Sequence, residues 1–344
     1  MALKHCRASL QTDLRINKSS QDNLTTLPSN SGVFLALDIG GTKIAGGIVG
    51  AEGGLLQHAT VATEAAHGSD RIIANASKLA RDLLQSHQQV SPVPVVALGV
   101  ASVGQIDFAS GRVVLATSAL PGWAGTCLRS AFGAELGLPT FVENDANAAA
   151  YGEYRVGAAR GYRHVVCLTL GTGIGGGVIT DGKLLRGATG GAAELGHVAV
   201  ELEGELCPCG RRGCLEAYSS GRALLRYAKN QLARLPAGTA SVLAGHPSLT
   251  GAFIFDAAAS GDHLARDIVE RFCRYLAKGL VSFQLAFDPE CFVLGGGVSS
   301  VGELLLEGIR RALPEQDRHI RLLLASLGND AGLVGAALLA RDSL

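Results

Sequence analysis

The strongest constraint on the fold is a local pattern that occurs twice. From Val33, the runs VFLALD, IAGGIV and LLQHATVA read as three short strands joined by Gly-Gly-Thr and by Gly50-Ala51-Glu52-Gly53-Gly54. HVVCLTL at 164–170, GGVIT at 176–180 and a third short strand near Lys183 to Leu185 repeat the theme, across a glycine-rich turn and an Asp181-Gly182 turn. Strand, glycine turn, strand, turn, strand is a meander. In each copy, helices and further strands follow.

In the first copy these are a helix from about Asp70 to His87, with Ser69 or Asp70 placed to cap it, strands at 95–100 and 140–143, and a helix starting near Asp145. In the second, a helix over about 262–286 carries Leu264, Ile268, Phe272, Leu276 and Leu280 in one row and stops before Asp288-Pro289. The strand CFVL at 291–294 and helices at 303–313 and 331–340 complete the copy. A chain of 344 residues exceeds what one hydrophobic core usually serves. The sequence therefore predicts an α/β protein of two related domains with a central cleft. Residues 1–32 are expected to be a flexible leader, 33–144 a smaller domain onto which the C-terminal helix 331–344 packs back, and 145–330 a larger domain. The leader is rich in Ser, Thr and Asn; Asp13 and Asp22 argue against a processed targeting peptide.

Thirty basic residues balance thirty acidic ones without a long run of either sign, so nothing points to nucleic acid or an anionic membrane. The longest apolar runs, near Val93 to Val103 and Cys291 to Val298, are too short to span a bilayer. Eight cysteines in so long a chain, with no apolar signal core, suggest reduced thiols and a cytoplasmic setting.

Forty-six residues are glycine, and several cluster directly after strands: Gly40 and Gly41 with Thr42 and Lys43, the run Gly171-Thr172-Gly173-Ile174-Gly175-Gly176-Gly177, and Gly295-Gly296-Gly297. Residues without Cβ let backbone N–H groups approach an anion, so three such loops suit one polyphosphate; the plainer reading is three tight turns. Gly171, Gly173 and Gly176 also fit G-x-G-x-x-G, but that fingerprint must open a helix, and here a strand and a hairpin turn follow. No P-loop motif is present.

Cys207, Cys209 and Cys214 stand in C-x-C-x4-C spacing among Pro208, Gly210 and Gly213, with His197 ten residues before the first. Three thiolates and an imidazole are the closed tetrahedral set of a structural zinc, which leaves no open position for a reacting water. Cys6, Cys127, Cys167, Cys273 and Cys291 are scattered and read as core residues. Asp145 falls at a strand-to-helix junction, where it is either an N-cap or a carboxylate poised by the helix dipole.

Together the runs DIGGTK, LGTGIGGG, VENDANAAA, ELGHV with CPCGRRGCLE, and DAGLVGAALLA resemble the ROK family of sugar kinases and sugar-sensing repressors, over roughly Val33 to Ala340. The resemblance implies the two-domain actin-like ATPase (RNase H-like) fold, with ATP, Mg²⁺ and a hexose as ligands and a homodimer as the usual assembly. It places Asp145 as general base, Asn144, Glu194, His197 and Glu216 on the sugar, and Asp38 as an outer-shell anchor for Mg²⁺. The glycine loops, including Gly296 and Gly297, fall to the nucleotide. His197 would use one ring nitrogen on zinc and the other on the sugar. Apart from the resemblance, Glu194 and Glu216 read as solvated loop carboxylates. A repressor would need an N-terminal DNA-binding module that the leader before Val33 does not supply. Ala101-Ser102-Val103-Gly104-Gln105, where glucokinases of the family usually carry Pro-Gly, resembles N-acylmannosamine kinases more closely. The leading expectation is 6-phosphorylation of N-acetylmannosamine, followed by glucose and then N-acetylglucosamine.

Overall fold

The computed structural model describes residues 15–16, 32–116, 120–236 and 240–344. The chain divides into two compact units, residues 1–148 with 332–344 and residues 149–331. Of the expected leader, only Arg15, Ile16 and Gly32 are among the described residues, and Cys6 lies outside them.

The first unit runs β1 (Arg15–Ile16), β2 (Val33–Ile39), β3 (Lys43–Val49), β4 (Leu55–Ala62), α1 (Ser69–Val90), β5 (Val95–Ser102), β6 (Gln105–Asp107), β7 (Arg112–Leu115), α2 (Leu128–Leu136), β8 (Thr140–Asn144) and the first turn of α3 (Asp145–Val156), whose remainder belongs to the second unit. Its main sheet has the order β1-β4-β3-β2-β5-β8; β2, β3 and β4 pair antiparallel, and β2-β5 and β5-β8 pair parallel. Strand side chains alternate between faces, and β2 is apolar on both. Val33, Leu35, Leu37 and Ile39 join Ile72, Ala76, Leu79 and Leu83 of α1 in one cluster, while Phe34 and Ala36 pack with Leu333, Ala337 and Ala340. The latter three belong to α9 (Ala331–Asp342), the last helix of the chain. Small residues bring its backbone close to the sheet: a Cβ at Gly99 would stand 2.0 Å from the Ala336 carbonyl oxygen. Neither Ser69 nor Asp70 caps α1. Both lie in its first turn, and the cap position is Gly68 at φ 84°, with no side-chain bond.

The second unit contains β9 (Val165–Leu170), β10 (Ile174–Thr180), β11 (Lys183–Leu184), α4 (Glu216–Ser219), α5 (Gly221–Ala233), α6 (Gly251–Ala259), α7 (His263–Phe287), β12 (Cys291–Gly295), α8 (Glu303–Ala312) and β13 (Leu322–Leu324). Its sheet order is β11-β10-β9-β12-β13, with β9, β10 and β11 antiparallel and β9-β12 and β12-β13 parallel. The α7 row read from the sequence is buried at Ile268, Phe272, Leu276 and Leu280, and Asp262 caps the helix through the Ala265 N–H. A three-strand meander followed by two parallel strands thus appears once in each unit, in the same spatial order. That duplicated topology is the actin-like ATPase (RNase H-like) fold.

Candidate active site

In the first unit, the parallel strands deliver carboxylates at their C-terminal ends. Asp38 is the penultimate residue of β2, and β8 runs straight into α3 through Asn144 and Asp145. Of the two readings for Asp145, the cap falls to its neighbour. The Asn144 side-chain oxygen accepts the Asn147 N–H at 3.0 Å, the bond of an N-cap. The Asn144 amide donates to Asp145 Oδ1 at 2.9 Å and to the Gly104 carbonyl at 3.0 Å, and the Ala146 N–H also donates to Asp145 Oδ1. Oδ2 of Asp145 takes no part in these bonds. Burial raises the Asp145 carboxyl above the usual range, against the pull of those N–H groups.

Asp38 is pushed up to about 7, first by burial and then by the charge of Asp145, with Lys43 pulling the other way. Its carboxylate lies against the first turn of α9, where a Cβ at Gly332 would come within 2.6 Å of Oδ2. Gly332, which the sequence disclosed only as part of a small-residue helix, thus leaves room for the Asp38 carboxylate. The adjoining turn is pinned at both ends: the Gly40 N–H donates to the Lys43 carbonyl, and buried Thr63 donates through Oγ1 to the Gly40 carbonyl at 2.7 Å. Gly41, Thr42 and Lys43 are exposed, and no atom lies within 4 Å of where a Gly41 Cβ would stand.

In the second unit the long glycine run is shorter as a loop than it reads. Gly175, Gly176 and Gly177 belong to β10, leaving Gly171, Thr172 and Gly173 as the turn. Gly176 admits close packing, since a Cβ there would stand 2.4 Å from the Ala193 carbonyl oxygen; at Gly196 it would stand 2.2 Å from the Ile174 carbonyl oxygen. The segment carrying Glu194 and His197 therefore lies directly on β10. Ala193 turns at φ 63°, unusual for a residue with a Cβ, and leads into exposed Glu194. Gly296 and Gly297 are exposed, with Gly296 at φ 84° and its Cβ direction blocked by Leu170 backbone.

The donor atoms of His197, Cys207, Cys209 and Cys214 all lie within 4.8 Å of one another. Cys209 Sγ and Cys214 Sγ are 3.7 Å apart, as are Cys207 Sγ and His197 Nδ1. Bond lengths of about 2.3 Å to sulfur and about 2.0 Å to nitrogen give tetrahedral edges of roughly 3.5–3.8 Å. The cluster has the size and soft donors that zinc requires, and Nδ1 is the imidazole nitrogen on its side, leaving Nε2. Glu216, two residues beyond Cys214, is buried; its Oε2 accepts the Ile174 N–H at 2.9 Å, and its Oε1 pairs with Arg222 at 3.2 Å. Of the remaining cysteines, Cys167, Cys273 and Cys291 are buried as expected, whereas Cys127 is half-buried at the start of α2.

The chain as a whole is similar to proteins of known activity. The ROK family model matches residues 34–343. A glucokinase of Streptomyces coelicolor is 39% identical over 325 residues, covering 90% of this chain and 98% of its own length. An N-acetylmannosamine kinase of Shigella flexneri is 35% identical over 310 residues, covering 90% and 98%. The crystal structure of a ROK family glucokinase from Streptomyces griseus, in complex with glucose and AMPPNP, superimposes with a TM-score of 0.76 at 41% identity, over 90% of this chain and all of that one. The duplicated sheet, the Asn144-Asp145 junction and the His/Cys cluster are thus carried by a sequence matched nearly end to end, and the chain belongs to the ROK family.

Proposed function

We propose that this ATP-dependent sugar kinase phosphorylates the 6-hydroxyl of a hexose or N-acylhexosamine. The observation that carries the reading is the Asp145 carboxylate, anchored through Oδ1 by two N–H donors at a helix start, with Oδ2 outside that anchorage. Asp145 accepts the proton of the sugar hydroxyl as its oxygen attacks the γ-phosphorus. A positioned base contributes typically 10²–10⁴-fold, and charge placement does the rest of the work. Asn144 orients Asp145 and contacts the sugar. Glu194, Glu216 and Nε2 of His197 take sugar hydroxyls. Gly40, Gly41, Thr42, Lys43, Gly171, Thr172, Gly173, Gly175, Gly176, Gly296 and Gly297 form the backbone cradle for the nucleotide, within which Gly175 and Gly176 act as the rigid strand behind the turn.

Mg²⁺ bound with ATP would supply neutralisation of the phosphate charge. Asp38 suits an outer-shell role towards it, because a buried carboxylate already raised by Asp145 gains from a nearby cation. Zinc held by His197, Cys207, Cys209 and Cys214 is structural, since four protein donors close its coordination. A homodimer is the assembly that family membership supports.

Glucokinases and N-acetylmannosamine kinases both stand among the relatives and support the two acceptors alike, and the chain's own residues put N-acetylmannosamine first. Identities of 39% and 41% to glucokinases support glucose, and 35% identity to an N-acetylmannosamine kinase supports N-acetylmannosamine. Two stretches favour N-acetylmannosamine: AAELGHVAVELEG with CLEAYSSGRAL, similar to N-acetylmannosamine kinases, and the Ala101 to Gln105 departure, although in the latter Ser102 is fully buried and its Oγ accepts the Trp123 indole N–H at 3.0 Å. That serine serves packing. A coupled assay of ATP with glucose, N-acetylmannosamine, N-acetylglucosamine and fructose tests the order; a higher kcat/KM for glucose overturns it, and no turnover of any sugar rejects the reading.

A further inference from the structure

Glu216 is held by the backbone of a loop far from it in sequence. Its Oε2 accepts the Ile174 N–H at 2.9 Å, 42 residues away, where the glycine turn enters β10. The approach requires glycine at the preceding position, because a Cβ at Gly173 would stand 2.3 Å from that same oxygen. The other carboxylate oxygen faces Arg222 at 3.2 Å and lies 3.9 Å from Cys207 Sγ. Five residues after Glu216 the chain meets the loop again: the Gly221 N–H donates to the Gly171 carbonyl at 2.8 Å, and a Cβ on Gly221 would come 2.9 Å from that oxygen. The segment from Cys214 to Gly221 therefore grips both ends of the turn Gly171-Thr172-Gly173. One grip is backbone to backbone, and the other is a single buried carboxylate.

A loop of three small residues has little packing of its own to hold one shape. Glycine loses more conformational freedom on ordering than any other residue. A carboxylate bond to a backbone N–H is among the stronger neutral-to-ion hydrogen bonds, and inside a protein it is not diluted by water. We propose that Glu216 is a positioning residue for the nucleotide as well as a group near the sugar: its carboxylate sets the shape in which the turn 171–173 receives the phosphates, and so ties that turn to the cysteine knuckle. The proposal rests on the reading of 171–173 as a nucleotide loop.

Two measurements on the full-length, metal-loaded protein test it, both without sugar, so that lost sugar contacts do not enter. The first is hydrogen exchange of the Ile174 amide. Protection falls in Glu216→Ala, persists in Glu216→Gln, whose amide oxygen still accepts the bond, and persists in Arg222→Ala, which removes only the partner of Oε1. The second is Mg·ATP affinity by calorimetry, which weakens about tenfold or more in Glu216→Ala and recovers in Glu216→Gln. Exchange of the β12 amides, unchanged in every variant, separates a local effect from unfolding. Unaltered Ile174 protection in Glu216→Ala overturns the link itself. Lost protection with wild-type Mg·ATP affinity overturns its role in nucleotide binding. Failure of the wild-type protein to bind Mg·ATP refutes the nucleotide reading of the loop, while the exchange data still decide whether Glu216 holds it.

Discussion

Asn144 donates its side-chain amide to Asp145 Oδ1 at 2.9 Å while its side-chain oxygen accepts the Asn147 N–H that opens α3. One asparagine thus caps a helix and fixes the rotation of the neighbouring carboxylate. The division of labour matters because an aspartate that capped the helix would spend its acceptor capacity on the backbone.

Asp145→Ala is expected to keep the fold and Mg·ATP affinity and to lower kcat by about 10²–10⁴-fold. Steady-state kinetics with calorimetric nucleotide binding checks this, and a variant turning over at the wild-type rate would sink the base assignment. Asp145→Asn should behave alike, because the amide cannot take up the proton.

Asn144→Ala removes a cap and a tether together. Loss of the cap costs about 1 kcal/mol of stability, visible in denaturant melts. The loosened carboxylate should also lower kcat beyond any change in KM for ATP. Asn144→Asp retains the capping oxygen but replaces the donor to Oδ1 with a second negative charge. Its stability should therefore lie nearer to wild type than its kcat does.

Asp38 gives a pH dependence whose sign follows from its pKa of about 7 against 3.8 when exposed. The folded protein binds this proton more tightly than the unfolded chain, so the group favours folding below about pH 4, and the benefit is lost as pH rises to 7. Above pH 7 the ligand-free protein buries an ionised carboxylate beside Asp145. Asp38→Asn should therefore gain stability over wild type between pH 5 and 8, by up to a few kcal/mol, in denaturant titrations without nucleotide or Mg²⁺. A difference constant across that range contradicts the account.

The regular elements were legible because their signals are local. The near-continuous apolar run at Val33 to Ile39 and the four-residue row on α7 are set by each element's own burial, and both appear where the pattern puts them. The β6–β7 hairpin, α2 and α6 carry weak signals, since each is short or takes its burial from packing rather than from a clean period, whereas α5 has a clear apolar face that went unread. In the site, the Cys/His spacing announced the cluster of four side chains that the structure brings together. Glu216 had no such signal: its partner Ile174 is 42 residues away, and only the resemblance singled it out. The glycines were legible as a cluster but not in their separate roles. Gly173 and Gly196 make room for a carboxylate and a carbonyl from other segments, which no local pattern announces.

The cysteine knuckle offers the sharpest test of what holds the second unit's loop together. Cys207 and Cys214 are buried while Cys209 is exposed, so the cluster sits at the surface with one thiolate facing solvent. Without a metal, three thiols packed beside an imidazole give little cohesion. With zinc, four donors become one cross-link. The purified protein should contain about one zinc per chain by elemental analysis, and Cys209→Ser should lower that content more than it disturbs packing, because an exposed side chain leaves no cavity. Chelation should lower the melting temperature of the wild-type protein and have little further effect on the Cys209→Ser variant. Full-strength zinc binding by Cys209→Ser, or a melting temperature indifferent to chelator in the zinc-loaded wild type, would show that the knuckle does not depend on the metal for its shape.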